Sequence, residues 1–189
     1  MKVLLLGPYR ENIIEFLNTF NDVVIHKEEK IEEHELIKEN VDYIISYGYR
    51  YIIPKSVVNL YEGKIINLHI SFLPWNRGAD PNLWSFLEDT PKGVTIHYID
   101  VGLDTGDIIA QQRVDFLEDE TLSSSYQKLT NEIESLFKKV WPDIRMGKSI
   151  RFTQIGKGSY HNSKEKDKFM HLLHGGWDTP INRIIRAAK

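Results

Sequence analysis

Short, mainly apolar runs separated by amphipathic or charged stretches constrain this chain more than any other feature. The runs are Val3-Leu4-Leu5-Leu6, Val23-Val24-Ile25, Val41 to Ser46 and Lys64-Ile65-Ile66-Asn67-Leu68-His69. Each is too short for a core helix and lacks the alternation of a strand with one wet face, so each predicts a strand, the first and last of them buried. After the turn at Gly7-Pro8-Tyr9, Ile13, Ile14, Phe16, Leu17 and Phe20 recur at helical spacing and predict an amphipathic helix over 10–20. The charged stretch from Lys27 to Asn40 reads as a solvated turn and helix, and Pro54 opens a short helix ending near Leu60. Strands alternating with helices predict an α/β fold on a doubly wound, mostly parallel, Rossmann-like sheet.

Further along, Asp80-Pro81 reads as an N-cap and first-turn proline opening a helix through Trp84 and Leu87. Gly93 to Ile99 and Asp107 to Val114 read as strands, and the short connection between them predicts an antiparallel hairpin. Thr121 caps a long helix whose predicted buried stripe is Tyr126, Leu129, Ile133, Leu136, Phe137, Val140 and Trp141, kinked or ended by Pro142. Helices are also predicted over 163–173 and 180–188, with Gly175-Gly176 between them. The reading is one domain over 1–156 and a C-terminal extension over 157–189 that does not fold independently.

Composition narrows the chemistry. The 189 residues carry a net charge of −3 with Lys and Arg scattered, which disfavours nucleic acid and anionic membrane as partners. There are no cysteines, so disulfides, thiolate zinc sites and cysteine nucleophiles are excluded and a cytoplasmic location fits. The apolar start is too short for a signal peptide and no segment is long and apolar enough to span a bilayer, so no membrane association is expected.

The polar residues that interrupt this pattern carry the functional signal. Asn67 and His69 lie two apart at the end of a predicted strand, so both project to one face. In an open α/β sheet that end is where ligands bind. An amide that can donate to a developing oxyanion beside an imidazole that can move protons suggests acyl transfer. Asp104, 35 residues after His69 in Gly102-Leu103-Asp104-Thr105-Gly106, can supply the orienting carboxylate, with Asp100 and Asp107 as nearby alternatives. His97, His26 and His34 read as structural, and His161, His171 and His174 are too loosely spaced for a metal site. Tyr160 and Trp177 read as packing residues, with a pocket wall or a homodimer contact as the alternative.

These motifs resemble the folate-dependent formyltransferase family. Ile66 to Pro74, Arg77-Gly78, Gly93-Val94-Thr95-Ile96-His97 and Asp100 to Ile108 look like its N-x-H-x-S-x-L-P, R-G and L-D-x-G-x-I signatures in order, across roughly residues 1–150. The resemblance implies that Asn67, His69 and Asp104 are the catalytic trio, that 10-formyltetrahydrofolate donates the formyl group and that no metal is needed. It also implies a folate site at Tyr51-Ile52-Ile53-Pro54 and at Asp100, Val101 and Gly102, where Ile52 and Ile53 suit a flat pterin.

The acceptor is read by comparing subgroups. The glycinamide ribonucleotide enzymes carry a glycine- and serine-rich phosphate loop where this chain has Gly7-Pro8-Tyr9-Arg10-Glu11-Asn12, in which proline removes an amide donor and Glu11 repels phosphate. The methionyl-tRNA enzymes add a C-terminal barrel and the formyltetrahydrofolate hydrolases an N-terminal regulatory domain, neither of which is expected here. The chain looks most like the short bacterial enzymes that N-formylate nucleotide-linked amino-deoxysugars. The acceptor wall is then Ser71, Trp75, Arg77 and Gly78, with Trp75 packing on a sugar or base and Arg77 pairing a diphosphate. The alternatives are formylation of another small amine, such as an amino ribonucleotide, and a folate-binding module without turnover.

Overall fold

The structure, a computed structural model, describes residues 1–188 and bears out the alternation read from the apolar runs. In chain order the first half holds β1 (Lys2–Leu6), α1 (Glu11–Asn18), β2 (Val23–Lys27), α2 (Glu33–Glu39), β3 (Tyr43–Ser46), α3 (Lys55–Leu60) and β4 (Ile65–His69). The second half holds β5 (Arg77–Gly78), α4 (Pro81–Leu87), β6 (Gly93–Tyr98), β7 (Ile108–Arg113), α5 (Leu122–Arg145) and β8 (Tyr160–His161). Two 3-10 turns, Glu165–Leu172 and Gly176–Asp178, then lead to α6 (Ile181–Ala188).

Six strands form one sheet in the order β2-β1-β3-β4-β6-β7. The β1, β2, β3 and β4 strands pair in parallel, whereas β6 runs antiparallel to β4 and β7 antiparallel to β6. Helices cover both faces, which is why Val3 to Leu6 of β1 are all apolar and buried. Val3 and Leu5 join the core formed with α1 and α5, and Leu4 and Leu6 join the core formed with α2 and α3. Among the described residues no helix is long and apolar enough to cross a membrane.

Several local expectations are corrected. Pro142 does not end α5, which continues to Arg145; proline removes one N–H, and packing of Trp141 and Ile144 into the core holds the last turn. Tyr126, expected in the buried stripe, is exposed. Asp80 precedes α4 in a left-handed conformation without a side-chain cap, and its carboxylate instead takes the Lys166 ammonium at 3.0 Å. Within the 163–173 stretch, Glu165–Leu172 is 3-10 rather than α-helical and none of those residues is buried. The segment after residue 157 packs onto the sheet domain. Arg77-Gly78 pairs in parallel with Tyr160-His161, the Trp84 ring stacks on His161 at 3.7 Å, and Leu173, Ile181 and Ile184 complete a core around α4.

At the amino-terminal end of the parallel strands, buried Asp22 accepts from the Met1 ammonium and from Arg145 Nη2, both at 2.9 Å. This ties the end of α5 to β1 and β2. Asp22→Ala is expected to lower unfolding free energy by about 2 kcal/mol, as for loss of a hydrogen-bonded charge. Urea denaturation measures this, and turnover should not change because the clamp lies at the opposite end of the sheet from the site.

Candidate active site

The antiparallel step from β4 to β6 builds the centre of the site. Its register sets Asn67 opposite His97 and His69 opposite Thr95. Residues directly opposite one another share a face of the sheet, so Asn67, His69 and His97 come together. The connection from β6 to β7 then folds back over them. Asp104 sits in it with φ +51°, a left-handed conformation uncommon outside glycine that turns its side chain in over β4.

The Asp104 carboxylate is the hub. Its Oδ1 accepts from Asn67 Nδ2 at 3.1 Å and lies 3.5 Å from His97 Nε2, while its Oδ2 accepts from the Gly78 N–H at 2.8 Å and lies 3.9 Å from His69 Nδ1. Gly78 has φ +88°, and a Cβ there would meet the His161 carbonyl at 2.3 Å, so glycine is required for this approach.

Hydrogen bonding fixes both imidazole tautomers, because a carbonyl can only accept. His69 Nε2 lies 3.1 Å from the Asn76 carbonyl and therefore carries a proton, which leaves the neutral ring's lone pair on Nδ1, facing Asp104. His97 Nδ1 donates to the Tyr98 carbonyl at 2.8 Å, so its Nε2 accepts from Asn67 Nδ2 at 3.3 Å. Asn76 is itself locked. Its N–H donates to Ser159 Oγ at 3.0 Å and its Oδ1 accepts from Thr90 Oγ1 at 2.7 Å.

Electrostatics follow. His69 is only 6% exposed. Burial pushes its pKa below the usual histidine range, and the Asp104 charge only partly offsets this. For Asp104, burial alone would raise the pKa, but the two imidazoles and the Gly78 N–H outweigh it and hold the carboxyl well below the usual carboxylate range. The resting site is a neutral imidazole beside an ionised carboxylate.

The other predicted residues fall into distinct settings. Tyr51 and Ile52 are exposed, Ile52 at 84%, whereas the Ile53 side chain points into the core with Val57 and Ile65 and leaves only its backbone for a ligand. Pro54 N-caps α3. Asp100 folds its own loop, accepting from the Gly102 N–H at 3.0 Å and Thr105 Oγ1 at 2.7 Å, and Val101 is exposed. Ser71 is buried and its hydroxyl is spent on the Trp75 carbonyl at 2.8 Å. The Trp75 side chain is part exposed. Arg77 donates through Nε and Nη2 to Gln154 Oε1 at 3.2 and 2.7 Å. Among the described residues no cluster of three or more histidine and carboxylate side chains is arranged to hold a metal.

The sequence reading does not bring three of these residues to the site: His97, which reads as structural, Asn76 and Gln154. His97 becomes visible only once β6 is known to pair with β4 in the register that puts it opposite Asn67.

Residues 17–140 match the formyl transferase family, and the chain belongs to it. It is 54% identical to the formyltransferase PseJ from Anoxybacillus kamchatkensis, with a TM-score of 0.96 and full coverage of both chains. That crystal structure contains UDP-4,6-dideoxy-4-formamido-L-AltNAc and tetrahydrofolate. Methionyl-tRNA formyltransferases from Clostridioides difficile (strain 630) and Agathobacter rectalis are 32% identical over 158 residues and 33% identical over 174 residues. These alignments cover 81% and 90% of this chain but 50% and 54% of those proteins, so the chain spans about half the length of either.

The two shifted groups act on stability in the same direction. From the ordinary 6.5 down to its depressed folded pKa, His69 gains a proton only in the unfolded chain, and below 3.8 the same holds for Asp104. Stability is therefore full near neutrality and falls in two stages on acidification. Urea midpoints at about pH 7.5 and about pH 5.5 should differ in the native chain, and His69→Asn should flatten that difference. An unaltered pH dependence in the variant would show that His69 is not the group responsible.

Proposed function

We propose that this protein transfers the formyl group of 10-formyltetrahydrofolate to the amine of a nucleotide-linked amino-deoxysugar, of which a UDP-linked 4-amino-4,6-dideoxysugar is the first candidate. The observation that carries this reading is the end-to-end likeness, at 54% identity, to a formyltransferase holding a UDP-linked 4-formamido sugar and tetrahydrofolate. The convergence of Asn67, His69 and Asp104 supports it. A net charge of −3 and the absence of cysteine suit a small-molecule acceptor, rather than a nucleic acid, in the cytoplasm. Exposed Phe152, Ile155 and Tyr160 offer apolar surface for a homodimer contact.

The folate fits Tyr51 and Ile52 and the Val101-Gly102 loop, where exposed apolar side chains suit a flat ring. It supplies the formyl carbon. The acceptor enters from the side of Trp75, Arg77 and Gly78, which Ser71 shapes from beneath.

As the acceptor nitrogen adds to the formyl carbon, charge grows on the formyl oxygen. Asn67 Nδ2 aims both hydrogens at Asp104 and His97 in the substrate-free chain. The incoming oxygen takes one of them, leaving the other to keep Asn67 in place. His69 Nδ1 takes the proton released by the attacking amine, and the imidazolium so formed lies against the Asp104 carboxylate. That proton passes to the departing folate nitrogen as its bond to carbon breaks. No covalent intermediate on the protein is required, and the remaining acceleration comes from holding donor and acceptor together.

Incubating the purified protein with 10-formyltetrahydrofolate and a panel of nucleotide-linked 3-amino- and 4-aminosugars, with products read by mass spectrometry, tests the reading. Formylation of the UDP-linked 4-aminosugar is expected, and a wholly inert panel sinks it. Asn67→Ala should lower kcat by about 10²–10³ and His69→Asn by about 10²–10⁴, both with native circular dichroism.

A further inference from the structure

We propose that Gln154 is a positioning residue for formyl transfer, holding the Asp104 loop in its working shape from outside the motifs that carry the family resemblance. It lies beyond the matched 17–140 region, in a stretch to which the sequence assigned no role. From Arg151 to Lys157 every residue except Gln154 is exposed, Ile155 at 88%, so apolar burial does not hold this segment in place. Two contacts do. Phe152 exchanges backbone hydrogen bonds of 2.7 and 2.9 Å with Ile108 at the start of β7, and Gln154 turns inward beside them.

The Gln154 amide uses its full bonding capacity there. Its Nε2 donates to the carbonyls of Asp104 at 2.8 Å and Gly106 at 2.9 Å, and its Oε1 accepts both Arg77 bonds. Arg77 has no acceptor, so it fixes which end of the amide faces the loop. The next residue, Gly78, donates to the Asp104 carboxylate. The path from the Asp104 carbonyl through Gln154, Arg77 and the Gly78 N–H to the Asp104 carboxylate is thus a closed ring. Asp104 is held in its left-handed conformation at both ends, with its oxygens over Asn67 and His69. Without Gln154 the two carbonyls turn to solvent and nothing on that side fixes the backbone carrying the carboxylate.

This inference rests on the formyl-transfer reading, and its consequences separate kcat from KM. Gln154→Ala should lower kcat about 10- to 100-fold, the range expected when a reacting group is misplaced by about 1 Å. KM for folate should change less than about 3-fold, since Gln154 contacts neither Tyr51 nor Ile52, and kcat is read at saturating acceptor because Arg77, on the acceptor wall, loses its Gln154 partner. Gln154→Glu keeps the Arg77 contact but, ionised, turns a second acceptor toward the two carbonyls; protonated, it recovers one donor. Its activity relative to the parent should therefore rise as the pH falls from about 8 to about 5. A purely structural role would leave that ratio flat.

Ring nitrogen signals give a readout independent of turnover: those of His69 and His97 should shift in Gln154→Ala, while those of His26 and His34 should not. Parent-like kcat in Gln154→Ala, or a flat ratio with unmoved His69 and His97 signals in Gln154→Glu, overturns the proposal. If Gln154→Ala fails to fold, Gln154→Glu decides alone. If the parent transfers formyl to no acceptor, the functional reading fails, while the ring signals still decide whether Gln154 positions the loop.

Discussion

A buried carboxylate that must stay ionised is the constraint around which this end of the molecule is organised. Desolvation disfavours charge on Asp104, so its surroundings have to supply donors, and they come from separate parts of the chain. Asn67 arrives on β4 and the Gly78 N–H on a loop pinned by β8, while the His97 ring on β6 takes the second Asn67 hydrogen beside the carboxylate. Each is placed by ordinary strand pairing. The sheet therefore acts as more than a platform, because its register decides which donors meet the carboxylate.

The antiparallel step between β4 and β6 is what makes this possible. A parallel neighbour brings its own carboxyl end alongside β4 and stops there, as β3 does with Ser46 opposite Asn67. Reversal of β6 instead puts His97 and Thr95 opposite the pair. It also returns the chain over the site within the short Asp100–Gly106 connection. Thr95 then takes part in the wall below, donating to the Ser71 carbonyl at 2.7 Å and accepting from the Leu73 N–H at 3.1 Å. The turn after β4 and the strand beside it are thereby one unit.

How much of this was legible follows from the range of each interaction. Burial of β1 and β4 could be read because a continuous apolar run is a local signal. The Thr121 cap could be read for the same reason, and its Oγ1 does accept the Ser124 N–H at 3.1 Å. The boundary at Pro142 and the exposure of Tyr126 could not, because tertiary packing overrides helical spacing and proline preference alike. Asp80 shows the limit most clearly: the residue type suits a cap, yet a lysine 86 positions away claims its carboxylate.

The sequence by itself determined the α/β class, the family and the shared face of Asn67 and His69, because hydrophobic period and a two-residue spacing on one strand are local properties. Only the tertiary structure decided that His97 belongs with them, that Asn76 sets the His69 tautomer, and that Gln154 grips the Asp104 loop. Those assignments depend on the register between strands and on where a distant segment docks. Both are settled by the packing of the whole chain, and no stretch of sequence encodes them alone.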